Sequence, residues 1–353
     1  MKPVIDALAV HGWTADVDSR IRKLAPHEMA ARVVRVDRGA CDIATISGIT
    51  RCKLGPRDSL VPGDWVIVEV DPSAQFVLTE RVERTTEIQR VDATGTGNQT
   101  LAVNVDVMFA LHGVDRPHRV GRLERLSILA WEAGVEPVVV ITKIDLADQG
   151  ESVISVDDAK AEVASMLADV PIHAVSSVTG QGLDELAQYL QPGSSVALAG
   201  ESGCGKSTLV NALVGDSVAP TGRTRIGDNK GRHTTTWREL IPLGNGAVVV
   251  DMPGIRTIGV TSESAGTDRA YEDIAELALS CRFRDCGHSN EPGCAVQAAR
   301  ADGTLSDARW TSYTKLNREH AAESERAVER RQRDEARELL RKKRAEEPEA
   351  PRR

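Results

Sequence analysis

The amino-acid sequence predicts a multi-domain α/β protein with an N-terminal OB-type β-barrel, a mainly parallel α/β domain and a C-terminal helical domain. Short strands separated by turn residues over 31–91 predict the barrel. Apolar strands that alternate with helices over 99–262 predict a parallel sheet covered on both faces. Three cysteines and a histidine clustered in a helical context predict a metal-binding domain over 263–317.

Composition sets the general class of the protein. A chain of 353 residues, 41% of them hydrophobic, can form two or three domains with a sizeable core. The net charge of -8 gives no global sign of a nucleic-acid binder. Neither a secretory signal nor an apolar run of membrane-spanning length is visible. We therefore expect a soluble, cytoplasmic monomer without a membrane partner.

The N-terminal part shows a change of pattern near residue 31. Residues 1–30 carry little pattern and are predicted to be a flexible lead-in. Four apolar segments then read as strands, with glycines between them as turns: 31–36, 41–47, 65–70 and 75–80. An OB-type barrel fits this length, and a small SH3-like barrel remains the alternative. Trp65 lies in an apolar run and is expected in the core.

Strands and helices alternate after a linker at 92–99. The predicted strands are 105–111, 137–141, 172–175, 195–199 and 247–250, and the predicted helices are 122–133, 157–168, 183–190 and 208–214. The final segment, 318–353, is almost wholly charged and favours helix, so we expect a solvated helical tail.

A phosphate-binding motif, G-x-x-x-x-G-K-[ST], follows the strand at 195–199. We call it the phosphate loop, and it comprises Gly200, Glu201, Ser202, Gly203, Cys204, Gly205, Lys206 and Ser207. Its N–H groups, with Thr208 next to it, would surround the phosphates. Lys206 would reach the β- and γ-phosphates, and the Ser207 hydroxyl would bind Mg²⁺. The alternative is a chance glycine-rich turn, which the strand before and the helix after argue against.

A second phosphate-side motif, D-M-P-G, ends the strand at 247–250. Asp251 could hold Mg²⁺ through water, and the Gly254 N–H could face the γ-phosphate. The tetrapeptide alone is weak evidence, since any turn could produce it. Its position about fifty residues after a phosphate loop, at a strand end, is what gives it weight.

The base-reading loop, residues 142–145, identifies the base. Its residues Thr142, Lys143, Ile144 and Asp145 follow an apolar strand in the [NT]-K-x-D pattern of GTPases. Asp145 would accept hydrogen bonds from guanine, and Thr142 replaces the usual Asn with a hydroxyl that can make only part of its bonds. Ser176 and Ser177 follow the next strand and suit a loop that contacts guanine O6.

The order of these motifs is permuted. Ordinary GTPases carry the phosphate loop first and the base-reading motifs last, whereas here residues 142 and 176 precede residue 200. The same sheet can form if the old termini are joined and new ones open elsewhere, because domain termini often lie close together. We therefore predict a circularly permuted P-loop GTPase domain over 99–262.

The metal cluster has the spacing Cys281-x4-Cys286-x-His288-x5-Cys294. Three thiols and an imidazole make a full tetrahedral set for one structural zinc ion. The alternative is three free or buried thiols that happen to lie near a histidine.

The chain resembles the circularly permuted ribosome small subunit-dependent GTPase A family over about residues 31–317. The resemblance is carried by N-V-D at 104–106, T-K-I-D at 142–145, the phosphate loop, G-R-H-T-T-T at 231–236, D-M-P-G at 251–254 and the Cys/His cluster. It implies an OB barrel, a permuted GTPase domain and a zinc domain. It also implies hydrolysis of GTP to GDP and phosphate, stimulated by the small ribosomal subunit late in that subunit's assembly, with rRNA as a partner.

The resemblance further implies that the R-H-T-T-T segment is the switch loop. Thr235 would then be the switch threonine near Mg²⁺. His233 is the candidate for positioning the attacking water, since Ile255 occupies the position where Ras-like proteins carry glutamine. An ordinary exposed loop histidine is the alternative.

Composition gives little support to RNA binding by the barrel. Residues 31–91 hold nine Lys/Arg and nine Asp/Glu, and their only aromatics are Trp65 and Phe76. The candidate basic residues are Arg81, Arg84 and Arg90, with Arg282, Arg284 and Lys315 near the cysteines. A P-loop kinase and an RNA-binding module with a purely structural nucleotide remain rival hypotheses. The base-reading loop argues against the first, and the intact phosphate residues argue against the second.

Overall fold

The computed structural model describes residues 7–91, 98–117, 120–167, 169–215, 239–252 and 265–346. These residues fall into two compact units. The first holds most of the described chain up to residue 252 together with 265–270. The second holds 90–91, 98–99 and 271–346.

A closed five-stranded barrel opens the first unit. Its strands are β1 (Glu28–Asp37), β2 (Ala40–Thr45), β3 (Gly48–Lys53), β4 (Trp65–Val70) and β5 (Phe76–Arg81). They close in the order β1-β2-β3-β5-β4, with β3 parallel to β5 and β1 antiparallel to β4. A closed barrel of five strands is the OB architecture, so the fold expectation is confirmed over the SH3-like alternative.

The lead-in is packed from residue 7 onward, contrary to the expectation that it is flexible. Helix α1 (Ala15–Arg20) begins at Thr14, whose hydroxyl accepts the Val17 N–H at 3.3 Å. The Trp13 ring meets the Trp65 ring edge to face, with their centres 5.2 Å apart. Strand β4 is therefore buried on both faces: Trp65 and Ile67 pack against the lead-in, whereas Val66 and Val68 belong to a separate cluster with the other barrel strands.

A six-stranded sheet forms the rest of the first unit's core. Its strands are β8 (Val107–Gly113), β9 (Glu136–Thr142), β10 (Ile172–Val175), β11 (Ser195–Gly200), β12 (Leu240–Pro242) and β13 (Val248–Asp251). Their order is β10-β9-β8-β11-β13-β12, and only β12 runs antiparallel to its neighbour. A separate two-stranded ribbon pairs β6 (Glu87–Val91) with β7 (Asn98–Val103). The mainly parallel sheet is confirmed.

Helices connect these strands and build the second unit. Besides α1, those before residue 271 are α2 (Val120–Glu132), α3 (Asp145–Asp148), α4 (Val156–Met166), a 3-10 helix (Leu183–Tyr189), α5 (Lys206–Val214) and α6 (Ala265–Ala270). The second unit contains α7 (Glu272–Leu279), α8 (Ala295–Ala301) and α9 (Asp307–Glu346). Within the described ranges, no helix is both long and apolar enough to cross a membrane.

Helix α6 lies with the nucleotide domain, although the sequence assigned residues from 263 onward to the metal-binding domain. A side chain at Gly266 would come within 2.5 Å of the Ile128 carbonyl oxygen of α2, so glycine permits this close helix packing. The Arg269 guanidinium lies over the Trp131 ring at 5.2 Å. The C-terminal part of the second unit therefore starts at Tyr271, after α6.

Candidate nucleotide site and metal centre

The predicted nucleotide motifs meet at one edge of the parallel sheet. Thr142 at the end of β9 lies opposite Gly113 of β8 and Val175 of β10. At the end of β11, Gly200 lies opposite Leu111 of β8, while Asp251 of β13 lies opposite Leu198. The carboxyl ends of parallel strands are where α/β proteins bind ligands.

Glycine is required at several points of the phosphate loop. Gly203 and Gly205 have φ values of +78° and +97°, in the left-handed region that side chains disfavour. A side chain at Gly200 would meet the Cys204 sulfur at 2.6 Å and the Leu111 carbonyl oxygen at 2.8 Å. The loop leads directly into α5, where Ser207 and Thr208 are exposed in the first turn.

Lys206 and Asp251 are the principal charged groups on the phosphate side. The Lys206 ammonium donates to the carbonyl oxygens of Gly200 and Glu201, at 2.8 and 2.9 Å. Oδ1 of Asp251 is buried, and none of the residues that the structure describes is its hydrogen-bond partner. Burial raises the pKa of the Asp251 carboxyl above its ordinary value, and the charge of Lys206 opposes that shift. Carboxylate oxygens are ligands that Mg²⁺ prefers, so this oxygen beside the phosphate loop could bind the ion or one of its waters.

Thr142 is buried and turned towards the phosphate loop. Its hydroxyl donates to the Cys204 carbonyl oxygen at 2.6 Å and lies 3.2 Å from that of His112. Lys143 adopts a left-handed φ of +63°, which is uncommon for a residue with a side chain. Its ammonium contacts Asp115 Oδ2 at 2.7 Å. In this structure the Thr142 hydroxyl therefore ties the base-reading loop to the phosphate loop.

Asp145 and Ser176 lie in hydrogen-bond contact, although they are 31 positions apart. The Ser176 hydroxyl donates to Asp145 Oδ1 at 2.6 Å and accepts the N–H groups of Val178 and Thr179. Ser177 follows in the same loop and is partly exposed. The side chain of Ile144 is buried, so its backbone is the part left for a ligand. The structure thus brings both predicted base-side segments together.

Three predicted residues, His233, Thr235 and Gly254, lie outside the described residues. Their assignments to water positioning, Mg²⁺ and the γ-phosphate stay predictions.

Two residues at this edge were not singled out from the sequence. Asp115 and Arg116 follow β8, and the Arg116 guanidinium donates to the carbonyl oxygens of Ser202 and Gly203 in the phosphate loop. Asp115 accepts from both Arg116 and Lys143. No motif marks them, but their place directly after an apolar strand, at the sheet edge where sites form, could have drawn attention.

The four predicted metal ligands meet in the second unit. Their ligand atoms, from Cys281, Cys286, His288 and Cys294, all lie within 4.8 Å of one another. The Cys281 and Cys294 sulfurs are 3.9 Å apart, and His288 Nδ1 lies 3.6 and 3.5 Å from them. A tetrahedral zinc site places two sulfurs about 3.8 Å apart, and a sulfur and a nitrogen about 3.6 Å apart. The cluster can therefore hold a metal ion.

Hydrogen bonds between side chains and the backbone hold the loop that carries His288. The φ of His288 is left-handed at +54°, and the Gln297 side-chain amide donates to the His288 carbonyl oxygen. The Glu291 carboxylate accepts the N–H groups of Gly287 and Ser289 at 2.9 and 2.7 Å. The Trp310 ring of α9 meets the imidazole edge to face. These contacts orient Nδ1 towards the sulfurs.

Of the three basic residues suggested for the barrel stripe, Arg84 is not available as a free cation, whereas Arg81 is exposed. Arg84 is nearly buried and pairs with Asp64 at 2.7 Å and Glu87 at 2.6 Å. Arg81 contacts the Ser59 carbonyl oxygen. Because its partners are carboxylates of the same chain, the charge of Arg84 is already compensated within the protein.

Comparisons with known proteins agree with this arrangement. The sequence model of the RsgA GTPase family matches residues 81–261, just over half of the chain. The "Small ribosomal subunit biogenesis GTPase RsgA" of Streptomyces avermitilis is 41% identical over 89% of this chain and 85% of its own. The protein of the same name from Methanosarcina acetivorans is 35% identical, over 90% of this chain and 86% of its own.

Solved structures give the same result for the fold. The crystal structure of YjeQ from Thermotoga maritima superposes with a TM-score of 0.60 at 25% identity, covering 83% of this chain and 99% of that one. YloQ, described as a circularly permuted GTPase, has a TM-score of 0.58 at 23% identity, covers 85% of this chain and 98% of its own, and supports the fold alone. The chain belongs to the RsgA GTPase family and is a GTP hydrolase with a circularly permuted nucleotide-binding domain.

Proposed function

We propose that this protein hydrolyses GTP to GDP and phosphate under stimulation by the small ribosomal subunit, as a late maturation factor that contacts its rRNA. The observation that carries the nucleotide chemistry is the bond between Thr142 and Cys204, which joins the base-reading loop to the phosphate loop. The partner follows from relatives named as small-subunit biogenesis GTPases. The protein would act as a cytoplasmic monomer.

The proposed phosphate side consists of the phosphate loop, Thr208, Asp251 and Gly254. Lys206 would exchange its two carbonyl contacts for phosphate oxygens. Ser207 and Thr235 would bind Mg²⁺ directly, and Asp251 would hold it through water. The orphaned Asp251 oxygen supports that role. When bound, Mg²⁺ neutralises charge on the phosphates.

The proposed base side consists of the base-reading loop with Ser176 and Ser177. Asp145 would accept the two guanine N–H groups, and its contact with the Ser176 hydroxyl supports this by fixing the carboxylate's orientation. Lys143 would pack its stem along the nucleotide. His233 would orient the attacking water, because Ile255 has no polar group for that task.

The metal centre is proposed to hold one structural zinc ion. A set of three thiolates and one imidazole leaves no open coordination position, so the ion would contribute folding energy and take no part in hydrolysis. The distances within the cluster support this ligand set.

The proposal is tested by measuring GTP hydrolysis with and without purified small ribosomal subunits. We expect the subunits to raise turnover, large subunits to leave it unchanged, and ATP to be a poor substrate. Lys206→Ala should abolish nucleotide binding and serves as the inactive control. Turnover that does not respond to small subunits would refute the ribosomal role, and normal GTP affinity in Lys206→Ala would refute the phosphate-loop assignment.

A further inference from the structure

The loop after β8 connects the two halves of the nucleotide site. Arg116 Nη1 and Nη2 donate to the carbonyl oxygens of Ser202 and Gly203, each at 3.0 Å. Asp115 accepts from Arg116 Nε at 3.1 Å and from the Lys143 ammonium at 2.7 Å. A continuous series of hydrogen bonds therefore runs from the phosphate loop through Arg116 and Asp115 to the base-reading loop.

The two carbonyl contacts determine where the phosphate loop directs its N–H groups. A trans peptide is planar, and its N–H points opposite to its C=O. When Arg116 holds the carbonyl groups of Ser202 and Gly203, the N–H groups of Gly203 and Cys204 must point away from the guanidinium. Gly203 has a left-handed φ of +78° and no side chain, so its backbone could adopt other conformations. The contact with Arg116 favours the one seen here.

The phosphate loop also contains a carboxylate that would repel phosphate. Glu201 lies 2.9 Å from Arg122 and 3.7 Å from Arg116, so two guanidinium groups offset its charge. Asp115 in turn stays ionised, since the Arg116 guanidinium and then the Lys143 ammonium hold the pKa of its carboxyl well below the usual range. Arg116 thus combines charge compensation with two directed contacts, whereas Arg122 contacts the carboxylate of Glu201.

We propose that Arg116, oriented by Asp115, is a positioning residue that shapes the phosphate loop for GTP and GDP and couples it to Lys143. This proposal rests on the proposed function, because nucleotide binding in the phosphate loop is part of that function. The planar fork of arginine suits this role, because its separate Nε and Nη groups reach two carbonyl oxygens and a carboxylate from three positions, whereas a lysine at 116 would have one donor nitrogen.

The first test uses the ligand-free full chain and follows amide hydrogen exchange of residues 200–206. Arg116→Ala should exchange faster there than the wild-type protein, and Arg116→Lys should resemble Arg116→Ala because it restores charge without the fork. Arg122→Ala is the matched control, since it removes an equal charge beside the same Glu201. It should change exchange in this segment much less.

The second test compares equilibrium affinities for GDP, a GTP analogue and GMP. Arg116→Ala should weaken GDP and the GTP analogue about tenfold, the scale of one lost charge-assisted hydrogen bond. GMP lacks the phosphates that the loop surrounds, so its affinity should change less, a difference that general destabilisation would not produce. Asp115→Asn should weaken GDP by a smaller factor, and the double variant should be no weaker than Arg116→Ala alone.

Two outcomes would overturn the proposal: wild-type exchange and GDP affinity in Arg116→Ala, or equal effects from Arg122→Ala. If Lys206→Ala loses GDP while Arg116→Ala keeps it, the proposed function stands and the positioning role fails. If the wild-type chain bound no guanine nucleotide, the proposed function would fail. The exchange measurement on the ligand-free protein would still decide whether Arg116 orders the loop.

Discussion

Asp251 offers the sharpest separation of stability from function, through the substitution Asp251→Asn. Its Oδ1 is buried with no hydrogen-bond partner in the described part of the chain, and burial raises the pKa of its carboxyl. A carboxyl whose pKa is raised by folding destabilises the folded state when it is ionised. The cost is complete above the raised pKa and disappears as the pH falls towards 3.8, the ordinary value. Asparagine keeps the shape and removes the charge.

The gain in stability expected for Asp251→Asn can be estimated from this one buried oxygen. An unpartnered buried polar group costs about 1–3 kcal/mol, and a charged one costs more. Asparagine still buries an amide, so we expect a net gain of about 1–2 kcal/mol. For a domain of this size, 1 kcal/mol corresponds to about 2–4 °C in the midpoint of thermal unfolding, which predicts a rise of about 2–8 °C.

Thermal unfolding of the ligand-free protein at about pH 7.5 and about pH 4.5 measures this gain. The midpoint of thermal unfolding should be higher in Asp251→Asn than in the wild type at the higher pH, and this difference should be smaller at the lower pH. The same variant should lose the extra stabilisation that Mg²⁺ gives to the GTP complex, and its GTP turnover should fall. A ligand-free Asp251→Asn protein that unfolds below the wild type would refute the reasoning, since it would mean that the carboxylate has a stabilising partner.

Three further predictions concern the base, the metal and the lead-in. Asp145→Asn should let xanthosine nucleotides compete with labelled GDP, because the carboxylate–guanine pairing is lost; an unchanged base preference would contradict the assignment. Cys286→Ser should reduce bound zinc and the amide protection of residues 281–301, whereas full zinc content would exclude this ligand. Trp13→Ala should cost about 3–5 kcal/mol of stability through lost packing on Trp65, and an unshifted unfolding curve would show that the lead-in does not pack there.

The sequence predicted those strands that are marked by an apolar segment between turn residues. The strands at 65–70 and 172–175 are mostly apolar segments between turns, interrupted only by Glu69 and His173, and the structure has both with the same bounds. Strand β3 was not predicted, because it begins at Gly48 and ends shortly before Gly55, and both glycines were assigned to turns. Gly48 does turn the chain, at a φ of +108°, but the residues after it pair with β2.

Features that depend on distant partners were not predictable from the sequence. Trp13 packs on a residue 52 positions later, so the lead-in showed no periodicity of its own. Arg84 looked like part of a basic surface because composition cannot reveal that Asp64 holds it. Arg116 reaches Ser202 across 86 positions, and no spacing rule connects them. In each case tertiary contact decides the role of the side chain.

The N-V-D segment shows how the barrel is joined to the nucleotide domain. Asn104, at a left-handed φ of +52°, accepts the Thr85 N–H at 3.0 Å and donates to the Gly63 carbonyl oxygen at 3.0 Å. Two residues later, the Asp106 carboxylate accepts the N–H of Ser195, the first residue of β11, at 2.8 Å. The segment therefore connects barrel loops to the strand that carries the phosphate loop, without itself belonging to the site.

Arg32 strengthens the same junction from the barrel side. Its guanidinium is fully buried over the Trp65 ring and donates to the His11 carbonyl oxygen at 2.6 Å and to the Ser195 hydroxyl at 2.8 Å. Moving the barrel away from β11 would break the contact of this charge with the Ser195 hydroxyl, and a hydrogen bond to a charged group contributes about 1.5–3 kcal/mol. A hinge between barrel and sheet is therefore disfavoured. Because β11 leads directly into the phosphate loop, we expect the barrel to follow movements of this strand, and we expect a nucleotide-dependent change to arise elsewhere in the chain.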